Sequence, residues 1–436
     1  MLSHNRLRSI TRGRVLLPGD DGFDAARLPW NLTVEQPVAA VVHAEDAADI
    51  AAVVDYARRA GLSVTAQPNG HGASGNTSGA ILVRTRHLDR VEIDPARRRA
   101  RVGAGVNWGQ VLTVAAPYGL TGLAGSSPAV SVVGYTLGGG MSWFGRKHGW
   151  AADSVQSFDI VDADGRPVHV TADTDPELFW GLRGGGGDFA FVTAMEFDLF
   201  PAPSLYGGLV VWPAERTTAV RDAFLDITEH APPELTVWIN RLQLPQAPPM
   251  IAVIAAYLGS PDRGRELLRR LDSVGAVIAD TRRELSPAEL GAIVNEPTEP
   301  GPSLIQTELL TVLDETAAEI LLTDPIDSLM GIQIRQLGGA LAEPTHGANP
   351  PFDEAYALYL QASGADSDTS ADVRATQKRL LADLGPRISG RKPYTALTAG
   401  DTTSQVFTAD TLARLRDLKR ARDPHSVFRA NFPILH

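Results

Sequence analysis

The chain of 436 residues contains no cysteine. Disulfides, thiolate metal sites, iron–sulfur clusters and cysteine nucleophiles are therefore excluded. Basic residues are outnumbered, with 40 Lys and Arg against 51 Asp and Glu and a net charge of -11. That balance argues against nucleic acid or an anionic membrane surface as the main partner. Long apolar runs are missing too. The longest is the nine-residue stretch Met250 to Leu258, too short to span a bilayer. The opening Met1-Leu2-Ser3-His4-Asn5-Arg6 lacks the apolar core of a secretory signal, so a soluble cytoplasmic protein is expected. No His-x-x-x-His spacing, carboxylate–histidine cluster, G-x-S-x-G or Walker lysine occurs. Neither a metal, nor Ser/His/Asp hydrolysis, nor a nucleotide-hydrolysing P-loop is expected.

What is present suits a soluble globular protein: 44% hydrophobic and 21% charged residues, enough chain for two domains or one large α/β body. From about residue 36 to 200, short β-rich runs alternate with helical ones. Val38 to Val42, Leu62 to Ala66, Ala80 to Val83, Arg90 to Ile93 and Arg99 to Val102 read as strands. Glu45 to Ala60 has apolar residues at helical spacing with Gly61 as its stop, and a second helix covers Trp108 to Ala116. Asp164-Gly165 marks a hairpin between Val155–Val161 and Pro167–Thr171, and Phe191 to Phe200 closes the region as a strand. Beyond Pro201-Ala202-Pro203 the strands lengthen: Leu209 to Trp212, Leu235 to Leu242, Met250 to Leu258, Gly331 to Leu337 and Ala355 to Gln361. Helices are expected near Ala214–His230, Arg263–Val274 and Thr311–Leu322, and loops over 340–353 and 362–370. The pattern predicts an antiparallel sheet with helices on one face. The tail holds one charged helix, Thr411 to Arg422.

Two glycine-rich segments about sixty residues apart carry the chemistry: Gln67-Pro68-Asn69-Gly70-His71-Gly72-Ala73-Ser74, and Gly125-Ser126-Ser127-Pro128 running on to Gly134 and Gly138-Gly139-Gly140. Glycines let backbone amides approach a pyrophosphate and form an anion-binding nest. His71 between two of them is either a solvated loop histidine or a nucleophile suited to the electrophilic methyl of an oxidised flavin ring. Gly103-Ala104-Gly105 with Gly109 has the wrong spacing for a dinucleotide fingerprint and reads better as turn glycines. Gly184 to Gly187 alone could be any flexible loop.

Together these residues resemble the FAD-linked oxidases of the vanillyl-alcohol oxidase/p-cresol methylhydroxylase (PCMH) superfamily, and most of all its berberine-bridge-enzyme-like branch. The resemblance covers nearly the whole chain. Asn69-Gly70-His71-Gly72 is similar to the family's pyrophosphate loop, whose histidine bonds the flavin 8α-methyl. Gly125 to Gly134, with Ser126, Ser131 and Tyr135 nearby, and Leu137 to Gly140 resemble the strand and loop along the flavin. Gly149-Trp150-Ala151-Ala152-Asp153-Ser154-Val155 resembles the stretch that follows. Asp175-Pro176-Glu177-Leu178-Phe179-Trp180-Gly181-Leu182-Arg183 with Gly184 to Gly187 resembles the "DLFWALRGGGG" signature, Leu337 to Ala340 the "GGA" segment, and Asp423-Pro424 with Phe428 to Asn431 the C-terminal closure.

The resemblance implies an α+β fold with a PCMH-type FAD domain over 1–203, its core about 34–202. A substrate domain over 204–392 and a C-terminal segment over 393–436 complete it. It implies FAD held by Pro68, Asn69, Gly70, His71, Gly72, Ala73, Ser74, Gly125, Ser126, Ser127, Val130, Ser131, Gly134, Tyr135, Gly138, Gly139, Gly140, Gly149, Ala152, Asp153, Val155, Asp188, Val192 and Asn431. Three departures from the family stand out. Ser127 stands where many members carry a cysteine that makes a second flavin bond, so a single bond through His71 is expected. Asp188 and Ala190 stand where an asparagine and a glycine are usual, and an ionised aspartate only accepts hydrogen bonds. The usual glutamate base is missing, which leaves Tyr359, Tyr394 and Tyr356 as candidate bases, with Gln361, Asn240 and Gln333 as polar lining. Val130 occupies the position that lines the oxygen pocket, although a strand valine also serves as plain core. The implied reaction is oxidation of a C–H carbon in a small natural product, alcohol or sugar. A hydride passes to the flavin, and molecular oxygen then accepts the electrons to give hydrogen peroxide. A dehydrogenase with another acceptor and a flavin-binding protein without turnover stand as alternatives. Neither substrate nor oligomeric state is legible.

Overall fold

The computed structural model describes residues 6–364 and 367–435, so most of the opening hexapeptide lies outside it. A four-stranded sheet comes first, in the order Val15–Leu16, Ala40–His43, Ile81–Arg84, Val64–Ala66. The last three strands run parallel. Between Ala40–His43 and Val64–Ala66 runs the helix Ala47–Ala60. Asp46 caps it by accepting from the Ala48 and Asp49 amides, and Gly61 ends it in the left-handed conformation at φ 65. Ile50, Val53, Val54 and Ala57 form its buried stripe against this sheet. A five-stranded antiparallel sheet follows, in the order Val91–Asp94, Arg99–Gly103, Phe191–Asp198, Val155–Val161, Pro167–Val170. Its hairpin turns at Gly165, φ 81.

The third sheet has eight strands, between Leu205–Pro213 and Tyr356–Ala362 in the chain, all paired antiparallel. Strand alternation sorts its residues onto two faces. Val237, Ile239, Val253, Ile332, Ile334, Leu358 and Leu360 pack into a core with the helices Thr217–His230, Glu315–Leu322 and Ser367–Leu384. The alternate residues Trp238, Ile254 and Ala256 join the large core of the five-stranded sheet. The helix-free face of this sheet is therefore laid against the rest of the molecule. The fold is α+β, with antiparallel sheets and helices. No described helix is long and apolar enough to cross a membrane.

Four local expectations differ. Arg263–Val274 is not one helix: Pro261–Leu267 and Arg269–Asp272 are separated at Leu268, whose backbone opens to ψ 4 while its side chain is fully buried. The strand Leu304–Leu310 was invisible because polar Gln306, Thr307 and Glu308 interrupt its apolar pattern. The loop over 362–370 gives way to the Ser367–Leu384 helix. The second glycine segment holds no strand; Val130 lies in a bend, and the short helix Val132–Leu137 starts behind Ser131, whose hydroxyl accepts from the Gly134 amide.

Candidate active site

The strand Val64–Ala66 delivers the chain to the first glycine segment. Gly70 sits at φ +79, where a side chain would also meet Pro29 at 3.0 Å. Nothing lies within 4 Å of a side chain added at Gly72. Between them, the His71 ring stacks on Trp30 with centroids 4.0 Å apart and planes 19° apart. Both His71 nitrogens are buried and lack a partner. Burial alone drives its pKa down to about 4, so the imidazole is neutral, with a lone pair available, at ordinary pH. Pro68 leads into the turn, and the Ala73 amide closes it onto the Gly70 carbonyl at 3.2 Å. Trp30 carried no sequence signal, since only the fold brings it beside the glycine loop.

The two glycine segments meet directly: Asn69 Nδ2 donates to the Ala129 carbonyl. Gly125 and Ser126 are half-exposed, and the Ser127 hydroxyl is buried without a partner. Val130 accepts from the Trp108 amide at 3.0 Å, and its side chain rests half-buried on the main core. Tyr135 covers both Gly125 and Gly140; a Cβ at Gly140 would fall 2.5 Å from its ring. Gly138 is covered by Tyr394, and the Gly139 and Gly140 carbonyls accept from Ala152 and Ala151 at 2.9 and 3.1 Å. Gly149 turns at φ +77 ahead of Ala152, Asp153 and the strand that begins at Val155. Asp153 is raised by burial, an effect opposed by Arg183 at 3.3 Å. Val192 is core on the strand Phe191–Asp198.

Asp188 is buried beside the C-terminal tail. Its carboxylate accepts from the Ala430 and Ile434 amides, both at 3.1 Å, and from Lys419 Nζ at 3.3 Å. Both of its carboxylate oxygens are thus taken up in holding the tail. The tail in turn reaches the first glycine segment. Asn431 accepts from Gln67 Nε2 at 3.1 Å and, through its carbonyl, from the Ser74 hydroxyl at 2.5 Å.

The three tyrosines separate. Tyr356 lies on the helix-covered face, tilted against Phe224 and bonded to Thr228, and burial pushes its phenol up. A base must meet substrate, so Tyr356 is out of place for that role. Tyr394 packs over Gly138 and Gly186, and its hydroxyl donates to the Phe432 carbonyl at 3.4 Å. Burial, with Asp188 adding to it, pushes its phenol far up, so it keeps its own proton and is poorly placed to act as a base. Tyr359 is on the other face, packed near Trp150, Leu309 and Phe352. It stands in a row across four strands, Asn240 opposite Gln333, Gln333 opposite Tyr359, Tyr359 opposite Thr307. Gln361 pairs one step further along, with Ile305. Arg335, absent from the sequence reading, lies over both Trp238 and Tyr359, 3.9 and 4.1 Å from their ring centres. Trp143 stacks on Trp238 at 3.7 Å. Tyr135 joins this face to the glycine cradle: burial pushes its phenol well up, the Tyr359 charge adds to that, and Arg335 opposes it. Its hydroxyl is buried and unpartnered.

Residues 38–171 match a family model described as an FAD binding domain. The chain is 26% identical over 454 aligned residues to (R)-6-hydroxynicotine oxidase of Paenarthrobacter nicotinovorans, spanning 97% of this chain and 96% of that protein. A crystal structure of 6-hydroxy-D-nicotine oxidase from Arthrobacter nicotinovorans superposes with TM-score 0.83 at 25% identity, covering 97% of this chain and 98% of that one. The wild-type BBE-like 1 protein of Physcomitrella patens has the same fold, with TM-score 0.85 at 19% identity over 99% of both chains. So does the grass pollen allergen Phl p 4, with TM-score 0.84 at 17% identity over 96% of both.

FAD suits the residues present. The cradle joins a neutral histidine with unused nitrogens to side-chain-free backbone at Gly72 and to unpartnered hydroxyls on Ser127 and Tyr135. The chain carries an FAD binding domain, is an FAD-dependent oxidoreductase, and has the fold of the berberine-bridge-enzyme-like oxidases of the PCMH-type superfamily.

Proposed function

We propose that this protein is an oxidase with FAD attached through His71 alone, acting on a C–H bond of a small organic substrate. Residues 1–203 and 393–436 would hold the cofactor, and 204–392 the substrate. The observation that carries this reading is His71, a buried neutral imidazole with both nitrogens free, stacked on Trp30 inside a glycine turn. The stack restrains the ring so that one nitrogen can bond to the flavin methyl. Ser127 lacks the thiol a second bond would need. Bound FAD would supply a hydride acceptor whose electrons then reduce oxygen to hydrogen peroxide.

The contacts proposed for it are Pro68 to Ser74, Gly125 to Ser127, Val130, Ser131, Gly134, Tyr135, Gly138 to Gly140, Gly149, Ala152, Asp153, Val155, Val192 and Asn431. The chain's own part in the chemistry falls to the helix-free face of the eight-stranded sheet. Tyr359 Oη, as a phenolate, would take the proton of a substrate hydroxyl or amine and become a neutral phenol; the guanidinium of Arg335 over the same ring would balance the phenolate charge before the transfer. The stacked Trp143 and Trp238 exclude water from one side. Val130 is the proposed gate for oxygen. In Phl p 4, wild-type protein is described as a glucose dehydrogenase and an isoleucine-to-valine variant as a glucose oxidase, which supports a valine at such a gate as the oxidase form.

The test is acid precipitation of purified protein. Wild type should give a yellow pellet, and His71→Ala a colourless one. Release of all flavin from the wild type would end the covalent reading. Reoxidation by air is then followed by stopped flow, and a sluggish rate would make the enzyme a dehydrogenase.

A further inference from the structure

In the strand Gly331–Gln336 the isoleucines at 332 and 334 enter the helix-side core. Period-two alternation therefore delivers Gln333 and Arg335 to the opposite face. Arg335 is half-buried there between the rings of Trp238 and Tyr359. A guanidinium so placed normally meets a carboxylate. Among the described residues, Arg335 has no ion pair, and its only hydrogen bond runs from Nε to Gln333 Oε1 at 2.5 Å. That bond leaves both Nη groups, the flat end of the fork, without an acceptor. Two more polar atoms are orphaned in the same region. Asn240 Oδ1, opposite Gln333 and on a residue 8% exposed, has no partner. The Tyr135 hydroxyl, whose ionisation feels both Tyr359 and Arg335, has none either.

We propose that Arg335 anchors a carboxylate of the substrate, so that the enzyme acts on small organic acids. The planar Nη pair matches the two oxygens of a carboxylate. The rings of Trp238 and Tyr359 clamp the guanidinium, so little freedom is lost when the anion arrives. Gln333 fixes its rotation by occupying Nε. Asn240 Oδ1 and Tyr135 Oη would meet polar groups elsewhere on the same molecule. This rests on the reading of the sheet face as the substrate side of the flavin site. It narrows that site's substrates to anions despite the protein's net charge of -11, because recognition here is set by one local cation without a counterion.

The experiment titrates benzoate and its neutral isostere benzamide into purified holoprotein, read by calorimetry and by the flavin absorption band. Wild type should bind benzoate at least about tenfold more tightly than benzamide, about 1.4 kcal/mol, with a band shift and a loss of affinity in high salt. Arg335→Gln should abolish that preference while keeping its bound flavin. Arg335→Lys should retain part of it, as a point charge without the fork. Equal affinities in the wild type, no benzoate binding, or a preference that survives in Arg335→Gln would overturn the proposal. Protein that purifies without flavin would overturn the cofactor reading instead, and the calorimetric comparison would still decide the role of Arg335. Discrimination by calorimetry with no band shift would place the anion away from the flavin and count against the proposal.

Discussion

Replacing Asp188 by asparagine is a one-atom change toward the residue usual in the family, yet the structure makes it costly. The carboxylate is 1% exposed and uses one oxygen for the Ala430 amide and Lys419, the other for the Ile434 amide. An asparagine can satisfy one amide and must turn its own NH2 on the other, leaving two donors face to face. A hydrogen bond to a charged group contributes about 1.5–3 kcal/mol, and an unsatisfied buried donor costs about 1–3 kcal/mol. Lys419 is not orphaned, because Asp423 Oδ2 and the Phe428 and Asp188 carbonyls still accept from it at 2.8, 2.8 and 2.6 Å. The net loss expected is therefore about 2–4 kcal/mol, a fall of about 2–4 °C in the unfolding midpoint of a chain this long. Differential scanning calorimetry of wild type and Asp188→Asn, each with its flavin, measures it. The tail would loosen first, and with it Asn431, which holds Gln67 and Ser74, so limited proteolysis should cut the variant near its C-terminus sooner. A midpoint within 1 °C of wild type would refute the claim that two amides need two carboxylate oxygens.

Three further outcomes are expected. Val130→Leu should slow reoxidation of reduced flavin by air at least about tenfold, an added barrier near 1.4 kcal/mol, and leave anaerobic reduction unchanged; equal oxygen rates would remove Val130 as the gate. Tyr359→Phe should lower kcat by roughly 10²–10⁴ with flavin retained, whereas Tyr356→Phe, on the helix side of the same strand, should stay within about twofold; the reverse order in steady-state assays would reassign the base. His148, pulled down to about 4 mainly by burial from an unfolded value of 6.5, refuses a proton that the unfolded chain accepts. Its contribution makes stability fall as pH drops from 6.5 toward 4 and leaves it flat above 6.5; His148→Gln should flatten that slope in midpoints measured against pH, and an unchanged slope would count against the assignment.

Several elements could be read from sequence because local chemistry encodes them. The Ala47–Ala60 helix has a capping aspartate, an apolar stripe and a stop glycine within one short stretch. The strand Tyr356–Ala362 is apolar at alternate positions, enough to show that it is a strand. The same pattern did not say which face met the substrate. That is why Tyr356 and Tyr359 could not be ranked until the helices were seen to cover one side. Asp188 shows the same limit: its neighbours in sequence belong to a glycine loop, but its bonding partners come from a tail more than two hundred residues away and could not be read from the sequence.

Composition, the missing cysteine and the paired glycine segments by themselves bounded the protein to a globular chain with a candidate cofactor cradle, because backbone openness and nucleophilicity belong to residue types; they left His71 as either a solvated loop histidine or a nucleophile, and the flavin came from the family resemblance. The tertiary structure alone decided which groups meet. It stacked Trp30 on His71, spent Asp188 on the tail, and clamped an uncompensated Arg335 between Trp238 and Tyr359. Those pairings join residues distant along the chain, and burial, charge and hydrogen-bond satisfaction are properties of the neighbours that folding supplies.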